Sequence, residues 1–237
     1  MEKTKSTFDL SPDEREEWNE IIRAAIKAQE LVDGSILVGG TASALYAGHR
    51  VSRDADNILA TLRDHFDEVL ESLAASPDWA LARVRRPVLI LGSIGDVEVG
   101  FRQSKRISPV ETRAIKTDYG NLTVPTLDEM IGMKAYLAYV RNATRDYLDF
   151  AALAKCVTAA EALNALLKLD RRYGDRQTAS VGLEIAKVLV EAEPFDLEDA
   201  DLANYKSLAP EWQKWGKIKE ICRYFGNLLG EKLVFEK

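Results

Sequence analysis

Cysteine, histidine and long apolar runs are scarce in this chain of 237 residues. Its two cysteines, Cys156 and Cys222, lie in helical patterns without metal-ligand spacing, which argues against a disulfide framework and against a zinc site. No uninterrupted apolar run reaches about 18 residues, so the sequence predicts no transmembrane helix. Residues 1–18 are too polar for a secretory signal, and we expect a cytoplasmic protein without membrane contact.

Glycine, proline and net charge are low as well. The chain has 14 glycines and 7 prolines, which is too few for a collagen-like or disordered protein. Its 32 basic and 38 acidic residues give a net charge of −6, which argues against a general polyanion binder. A chain of this length forms one large domain or two small ones. We expect two subdomains that share a cleft, at residues 1–126 and 127–237.

Helix and strand patterns alternate near the start of the chain. Ser11 and Pro12 predict the beginning of an amphipathic helix over residues 12–32. Residues 35–38 predict a short buried strand that ends at two glycines, and a helix follows with Thr41 as its candidate cap. Residues 54–61 predict a further strand, and the charged segment behind them predicts another helix.

The middle of the chain has the pattern of a sheet. Five short apolar or alternating runs between Trp79 and Val124 are separated by turn residues and predict a mixed or antiparallel sheet. After Thr126 the apolar spacing is helical. The sequence therefore predicts an α+β fold in which an all-helical C-terminal lobe follows a mixed sheet.

Gly39 and Gly40 form a glycine pair between a strand and a helix. Such a pair lets backbone N–H groups approach a phosphate closely, and the helix N-terminus adds a favourable partial positive charge. The alternative is that the glycines only permit a tight turn.

Asp54 and Asp56 lie two residues apart at the start of a predicted strand. Both carboxylates therefore leave the same face of the sheet, and such oxygen ligands suit Mg²⁺. The alternative is an exposed turn with two solvated aspartates.

Glu98 is the third candidate acid. Alternation places Val97, Val99 and Phe101 on one face of a strand and Glu98 on the other, whereas Asp96 belongs to a turn. We expect Glu98 to need an ion or a basic partner. Three such acids beside a phosphate-binding turn suit two-metal phosphoryl or nucleotidyl transfer.

Basic residues form two further groups. Lys134, Arg141 and Arg145 return to nearly one face if one helix continues through them, and this face could meet phosphates. Alternatively the face is solvated, Arg145 pairs with Asp149, and Asp146 caps a helix that begins at Thr144. A second group, with a local net charge of +5, could contact RNA or be merely solvated; it comprises Arg83, Arg85, Arg86, Arg102, Lys105, Arg106, Arg113 and Lys116. We assign no catalytic role to His49 or His65, and expect a structural hydrogen bond for His49.

The order and spacing of these residues resemble a known family. The segment GGTASALYAGHRVSRDADNIL at residues 39–59, Val97 to Gly100, residues 124–130, Lys134 and residues 141–149 are similar to the motifs of AbiEii/AbiGii-type nucleotidyltransferase toxins. The resemblance covers about residues 35 to 155. It implies a DNA polymerase β-like nucleotidyltransferase core. Two residues depart from related enzymes, Asn57 where an apolar residue is common and Glu98 where Asp is more frequent.

The resemblance also implies roles for individual residues. The triphosphate would be bound by the start of the helix and by two downstream basic residues, namely Gly39, Gly40, Thr41, Ser43, Lys134 and Arg145. Mg²⁺, or Mn²⁺ in its place, would be bound by Asp54, Asp56 and Glu98. The catalytic set would comprise these three acids with Lys134 and Asp146.

The activity implied by the resemblance is transfer of a nucleoside monophosphate from a triphosphate to an acceptor hydroxyl. The 3′ end of tRNA is one such acceptor, and a separate antitoxin would neutralise the protein. Modification of a protein or small molecule by nucleotidyl or phosphoryl transfer is an alternative. A non-catalytic module that binds nucleotide and regulates a partner is the alternative from another class.

Overall fold

The computed structural model describes residues 10–106, 108–174, 180–198, 202, 205 and 207–235. The first part of the chain forms α1 (Pro12–Leu31), β1 (Ile36–Leu37), α2 (Gly39–Ala47), β2 (Asp54–Leu59) and α3 (Phe66–Ala74). The strands β3 (Trp79–Arg85), β4 (Leu89–Ile94), β5 (Val97–Gln103), β6 (Thr112–Thr117) and β7 (Gly120–Pro125) follow. Helices α4 (Leu127–Arg141), α5 (Thr144–Ala154), α6 (Ala159–Leu167), α7 (Leu169–Tyr173), α8 (Val181–Glu191) and α9 (Trp215–Phe235) complete it, with a short 3₁₀ helix at Pro210–Trp212.

Five strands form one mixed sheet in the order β1-β2-β5-β4-β3. The neighbours β2 and β5 run parallel, whereas the other adjacent pairs are antiparallel. Strands β6 and β7 pair separately as an antiparallel hairpin. Within the residues that the structure describes, the mixed sheet, the five strands β3 to β7 in the middle of the chain and the helices after them confirm the α+β prediction.

The two faces of the five-stranded sheet differ in what covers them. Helix α1 packs on β2, β4 and β5, and α3 packs beside β3. The buried side chains of the two central strands face this covered side, namely Ala55, Asn57, Leu59, Val97, Val99 and Phe101. By alternation Asp54, Asp56, Glu98 and Arg102 lie on the opposite side, which we call the open face.

Helix ends confirm one predicted cap and correct another. Ser11 caps α1 and forms a capping box with Glu14, as its position before Pro12 indicates. Helix α2 begins two residues before Thr41, at Gly39, with Val38 as its N-cap residue. The prediction that Thr41 caps α2 was therefore wrong, because its hydroxyl donates instead to the Asp54 carbonyl.

The basic stripe on one continuous helix was also wrong. Asn142 has φ of 51° and ends α4, so Lys134 and Arg145 belong to different helices. The alternative start at Thr144 is confirmed, although Asp146 does not cap it. Asp196 does so instead, since its Oδ1 atom accepts bonds from the Thr144 N–H (2.7 Å) and hydroxyl (2.8 Å).

One group of buried apolar side chains extends through sheet and helices. It includes Leu37 and Val99 from the sheet, Ile131 and Leu148 from α4 and α5, and Phe225 from α9. Helix α2 packs on α5 across the expected subdomain boundary at residue 126, and that boundary stays a prediction. Both cysteines are free thiols. None of the helices in the described part of the chain is long and apolar enough to cross a membrane.

Candidate active site

The start of α2 lies directly beside the first residues of β2. Gly39 has φ of +72°, a conformation that favours glycine, and a Cβ atom there would lie 3.4 Å from the Asp56 Oδ2 atom. The Val38 N–H donates to the Asp56 carbonyl at 2.8 Å and ties the turn to the strand. Because the first N–H groups of a helix have no carbonyl partner within it, they are available to an anion at this point.

Thr41 and Ser43 are both buried within this turn. The Thr41 hydroxyl donates to the Asp54 carbonyl at 2.5 Å, and the Ser43 hydroxyl donates to the Gly39 carbonyl at 2.8 Å. Both side chains therefore fix the start of α2 against β2. Their part in binding the triphosphate stays a prediction.

Asp54 and Asp56 lie half-buried on the open face. The Ser52 hydroxyl donates to Asp54 Oδ1 at 2.6 Å, and Arg102 Nε donates to Asp56 Oδ1 at 3.3 Å. A Cβ atom on Gly100 would lie 2.9 Å from Asp56 Oδ1, so only glycine leaves room for this carboxylate across β5. Mg²⁺ prefers carboxylate oxygens, and these two aspartates beside an anion-binding turn fit such an ion.

Glu98 is the neighbour of Asp54 in the parallel pair of strands, but its side chain is exposed. The expectation that Glu98 needs an ion or a basic partner was therefore wrong, because the side chain is exposed to solvent while α1 packs on the other face of β5. Among the described side chains, no three acidic, histidine or cysteine residues form a group that could hold a metal ion. The metal role of Glu98 stays a prediction that the geometry does not strengthen.

Lys134 and Asp146 meet in the interior, where α4 and α5 pack together. Both residues are buried, and Lys134 Nζ lies 3.3 Å from Asp146 Oδ1 and 2.7 Å from Asp149 Oδ2. Asp146 Oδ2 is buried and has no hydrogen-bond partner among the described residues. The structure thus brings together the predicted lysine and aspartate, although both are shielded from solvent.

Asp149 is the centre of a buried cluster that also contains His49, Arg50 and Lys134. Its Oδ1 atom lies 2.8 Å from His49 Nε2, and its two oxygens accept bonds from Arg50 Nε (2.8 Å) and Nη2 (2.9 Å). Burial favours a raised pKa for Asp149, but Arg50, Lys134 and His49 together outweigh it and hold the pKa well below 3.8. Asp149 is therefore ionised at neutral pH.

Burial also determines the protonation of His49. It holds the pKa of the imidazole below 6.5, even though the hydrogen bond to Asp149 acts in the opposite direction. The ring is therefore neutral at pH 7 and donates from Nε2, as the predicted structural hydrogen bond requires. The suggested pairing of Asp149 with Arg145 was wrong, since Arg145 is exposed and Asp149 is buried.

The central basic residues do not form one patch. The Arg106 side chain is buried and pairs with Glu129, while Arg86 pairs with Asp67. After an irregularity between Leu81 and Arg83, the arginines of β3 lie opposite two leucines of β4: Arg83 opposite Leu91, and Arg85 opposite Leu89. Leu89 in turn lies opposite Arg102 of β5, so both arginines are on the open face with Arg102. Part of the predicted cationic surface therefore adjoins Asp56.

An open hollow of about 570 Å³ lies away from these residues, between α1 and the turns that precede β5 and β7. Charged side chains at its rim include Glu20, Arg23 and Lys27, and Tyr119 closes one side. No residue of the predicted site lines it. The candidate catalytic and binding side chains instead lie on the open face and in the buried cluster next to the start of α2.

Comparison with protein families gives a match over most of the chain. The model of the family described as nucleotidyl transferase AbiEii toxin, type IV toxin–antitoxin system, matches residues 20–228. The chain belongs to this family. The match includes every residue discussed at the start of α2, on the open face and in the buried cluster.

Solved structures are similar to this AbiEii-family chain in fold. A nucleotidyltransferase structure from H. pylori has 16% identity and a TM-score of 0.55, and the match covers 96% of this chain and 99% of that one. An antigenic nucleotidyltransferase-like protein from Paracoccidioides brasiliensis has 16% identity and a TM-score of 0.45, over 68% and 89% of the two chains. The H. pylori structure, which matches over nearly the whole of both chains, shows that the fold is that of a nucleotidyltransferase.

A curated relative matches only part of the AbiEii-family chain. The mycolic acid-containing lipids exporter MmpL11 of Mycolicibacterium smegmatis is 30% identical over 121 residues, which is 50% of this chain. The match spans 12% of the length of that relative.

Proposed function

We propose that this chain is a Mg²⁺-dependent nucleotidyltransferase that acts in the cytoplasm. It transfers a nucleoside monophosphate from a nucleoside triphosphate to an acceptor hydroxyl. The acceptor hydroxyl gives its proton to a carboxylate of the site, and its oxygen attacks the α-phosphorus. The bond from the α-phosphorus to the bridging oxygen of the β-phosphate breaks and releases pyrophosphate. The observation that carries the proposal is the contact between the glycine start of α2 and the Asp56 carboxylate on the open face.

The residues of the site have two roles, which are to bind the triphosphate and to hold the metal ion. Backbone N–H groups at Gly39, Gly40 and Thr41 bind the triphosphate, with Ser43 holding the turn. Asp54 and Asp56 hold Mg²⁺, for which Mn²⁺ is an alternative, and Glu98 adds a third carboxylate at the rim. A bound metal supplies activation of the attacking hydroxyl and stabilisation of the pyrophosphate. Lys134 and Asp146 support the nucleotide site from the buried cluster behind the start of α2.

The acceptor we propose is the 3′ end of tRNA, with growth inhibition neutralised by a cognate antitoxin protein. The toxin–antitoxin description of the family supports this. The arginines of the open face support it as well, because cations beside the reacting groups attract a nucleic-acid backbone. A small molecule or a protein is the alternative acceptor, and phosphoryl transfer the alternative reaction.

A nucleotide-binding regulator without catalysis is the second candidate function. The exposure of Glu98 favours it, since the described acidic side chains do not assemble into a group of three around one ion. Binding of a nonhydrolysable triphosphate that does not depend on Mg²⁺, without any turnover, would support this candidate.

The deciding experiment supplies each radiolabelled nucleoside triphosphate, Mg²⁺ and total bacterial tRNA to the purified chain. We expect label in RNA with one or more nucleotides and none with Asp54→Ala/Asp56→Ala. Asp96→Ala is the matched control, because this aspartate lies in the turn between β4 and β5 and should leave labelling unchanged. Label in protein or in a small molecule alone would identify a different acceptor. No label in any fraction would reject the proposed transfer.

A further inference from the structure

Arg50 lies immediately behind the start of α2. Its Nη2 atom is 2.7 Å from the position that a Cβ atom on Gly40 would take, and the Ser52 hydroxyl is 2.5 Å from the same position. The Gly40 Cα therefore rests on the guanidinium group. Arg50 is 8% exposed, so this contact is made inside the protein.

The guanidinium group is fixed in one orientation. Asp149 binds it through two parallel bonds, from Nε at 2.8 Å and from Nη2 at 2.9 Å, which is the strongest arrangement for an arginine and a carboxylate. Asp149 is itself held by His49 and Lys134. Arg50 cannot turn away from Gly40 without breaking both of its bonds to α5.

We infer that Arg50 is a positioning residue for the triphosphate, and that Asp149 acts through Arg50 by holding it against the start of α2. The inference rests on the proposed function and adds to it a support for the phosphate-binding turn. Backbone N–H donors bind an anion well only when their directions are set beforehand. The arginine sets the position of Gly40 and adds a fixed positive charge behind it.

The charges of the cluster make this burial tolerable. Arg50 faces the Asp149 carboxylate, Lys134 faces the carboxylates of Asp146 and Asp149, and His49 is neutral. Each buried cation therefore has a carboxylate partner, which offsets part of the cost that burial of a lone arginine would carry. Through Asp149 and Lys134 the cluster also joins the start of α2 to both α4 and α5.

The test measures the affinity for a nonhydrolysable triphosphate analogue of each base with Mg²⁺ by calorimetry, together with KM and kcat in the labelling assay. Arg50→Lys keeps the charge and loses the paired bonds, so we expect about tenfold weaker binding, the usual effect of one charged hydrogen bond. KM should rise more than kcat falls, as expected for lost nucleotide binding. Asp149→Asn should have a similar effect.

Arg172→Lys is the matched control. Arg172 is equally buried and pairs with Glu129 at 3.1 Å and with Asp128, but it lies on α7, away from α2. We expect it to lower the melting temperature and to leave nucleotide affinity unchanged. In the double variant Arg50→Lys/Asp149→Asn, affinity should be close to that of Arg50→Lys alone, because Asp149 acts through the arginine.

Wild-type affinity in both Arg50→Lys and Asp149→Asn would overturn the inference, and so would an equal loss in Arg172→Lys. If neither cluster variant folds, the cluster is only a folding element and the inference is overturned. A wild-type chain that binds the analogue but transfers nothing rejects the proposed function alone, because the affinities still decide the role of Arg50. A wild-type chain that binds no triphosphate rejects both.

Discussion

At the scale of single residues, the two glycines at the start of α2 are needed for different reasons. Gly39 adopts a left-handed backbone conformation, which other residues reach only with strain. Gly40 does not, but the Arg50 and Ser52 side chains occupy the space of its missing Cβ atom. Backbone conformation is therefore the reason at Gly39, whereas close approach of the Arg50 and Ser52 side chains is the reason at Gly40.

Gly40→Ala should therefore destabilise the chain and impair nucleotide binding. The new methyl group would overlap side chains that Asp54 and Asp149 hold in place, and such overpacking costs about 1–3 kcal/mol in the free energy of unfolding. Urea denaturation measures this change. Gly216→Ala in α9 is the control, because a Cβ atom there meets nothing within 4 Å. Equal stabilities of the two variants would contradict the crowding at Gly40.

At the scale of elements, the break between α4 and α5 determines where the catalytic candidates lie. Asn142 ends α4 in a left-handed conformation, and its side chain donates to the Glu193 carbonyl at 3.0 Å. The new helix then points Asp146 and Asp149 inward, while Arg145 stays exposed. If α4 continued without a break, Arg145, Asp146 and Asp149 would point in other directions. The segment after α8 therefore helps to orient the site, through its contacts with both helix ends.

Asp196→Ala should weaken the start of α5. It removes the acceptor of the Thr144 N–H and hydroxyl, a loss comparable to that of a helix cap, about 1 kcal/mol. Thermal denaturation should show a lower melting temperature. Glu198→Ala, an exposed acidic residue in the same segment, is the control and should change little. If both variants melt like the wild type, Asp196 does not cap α5 in solution.

At the scale of the whole molecule, the buried cluster joins segments that are far apart in the chain. Asp149 lies 100 residues from His49 and 99 from Arg50, and its bonds connect the N-terminal part to the helical part. The apolar core is shared in the same way. Groups whose protonation differs between the folded and unfolded states therefore affect the stability of the entire fold.

The stability of the molecule should fall as the pH drops below about 6.5, the ordinary pKa of histidine. Burial lowers the pKa of His49 in the folded chain, so the unfolded chain binds a proton at a higher pH than the folded one. The stabilisation is complete above 6.5 and is lost as the pH falls toward the lower folded pKa. Urea unfolding at several pH values measures the slope.

His49→Gln should be less stable than the wild type at pH 7 but should show a flatter pH dependence between 6.5 and 5, about the range in which free histidine titrates. His65→Gln is the control, because His65 lies exposed before α3 and should retain the wild-type slope. A wild-type slope in His49→Gln would mean that His49 does not resist protonation in the folded chain.

Local patterns in the sequence determined most of the elements and the shared face of Asp54 and Asp56 in the candidate site. Ser11 and Pro12 placed the start of α1, and alternation placed Asp54 and Asp56 on one face of β2 and Glu98 on the same face of β5. These features depend on neighbours within a few residues, which is why pattern and capping rules predict them. The family resemblance, which the comparison confirms, also depended on such short motifs.

Only the tertiary structure decided which charges are buried and which are exposed. Nothing local marks Asp149 as the partner of Arg50, because the two residues lie 99 positions apart and meet only when α2 packs on α5. Likewise Glu98 is exposed because α1 packs on the opposite face of β5. Spacing fixes the direction of a side chain relative to its own element, whereas its environment depends on which other elements pack there.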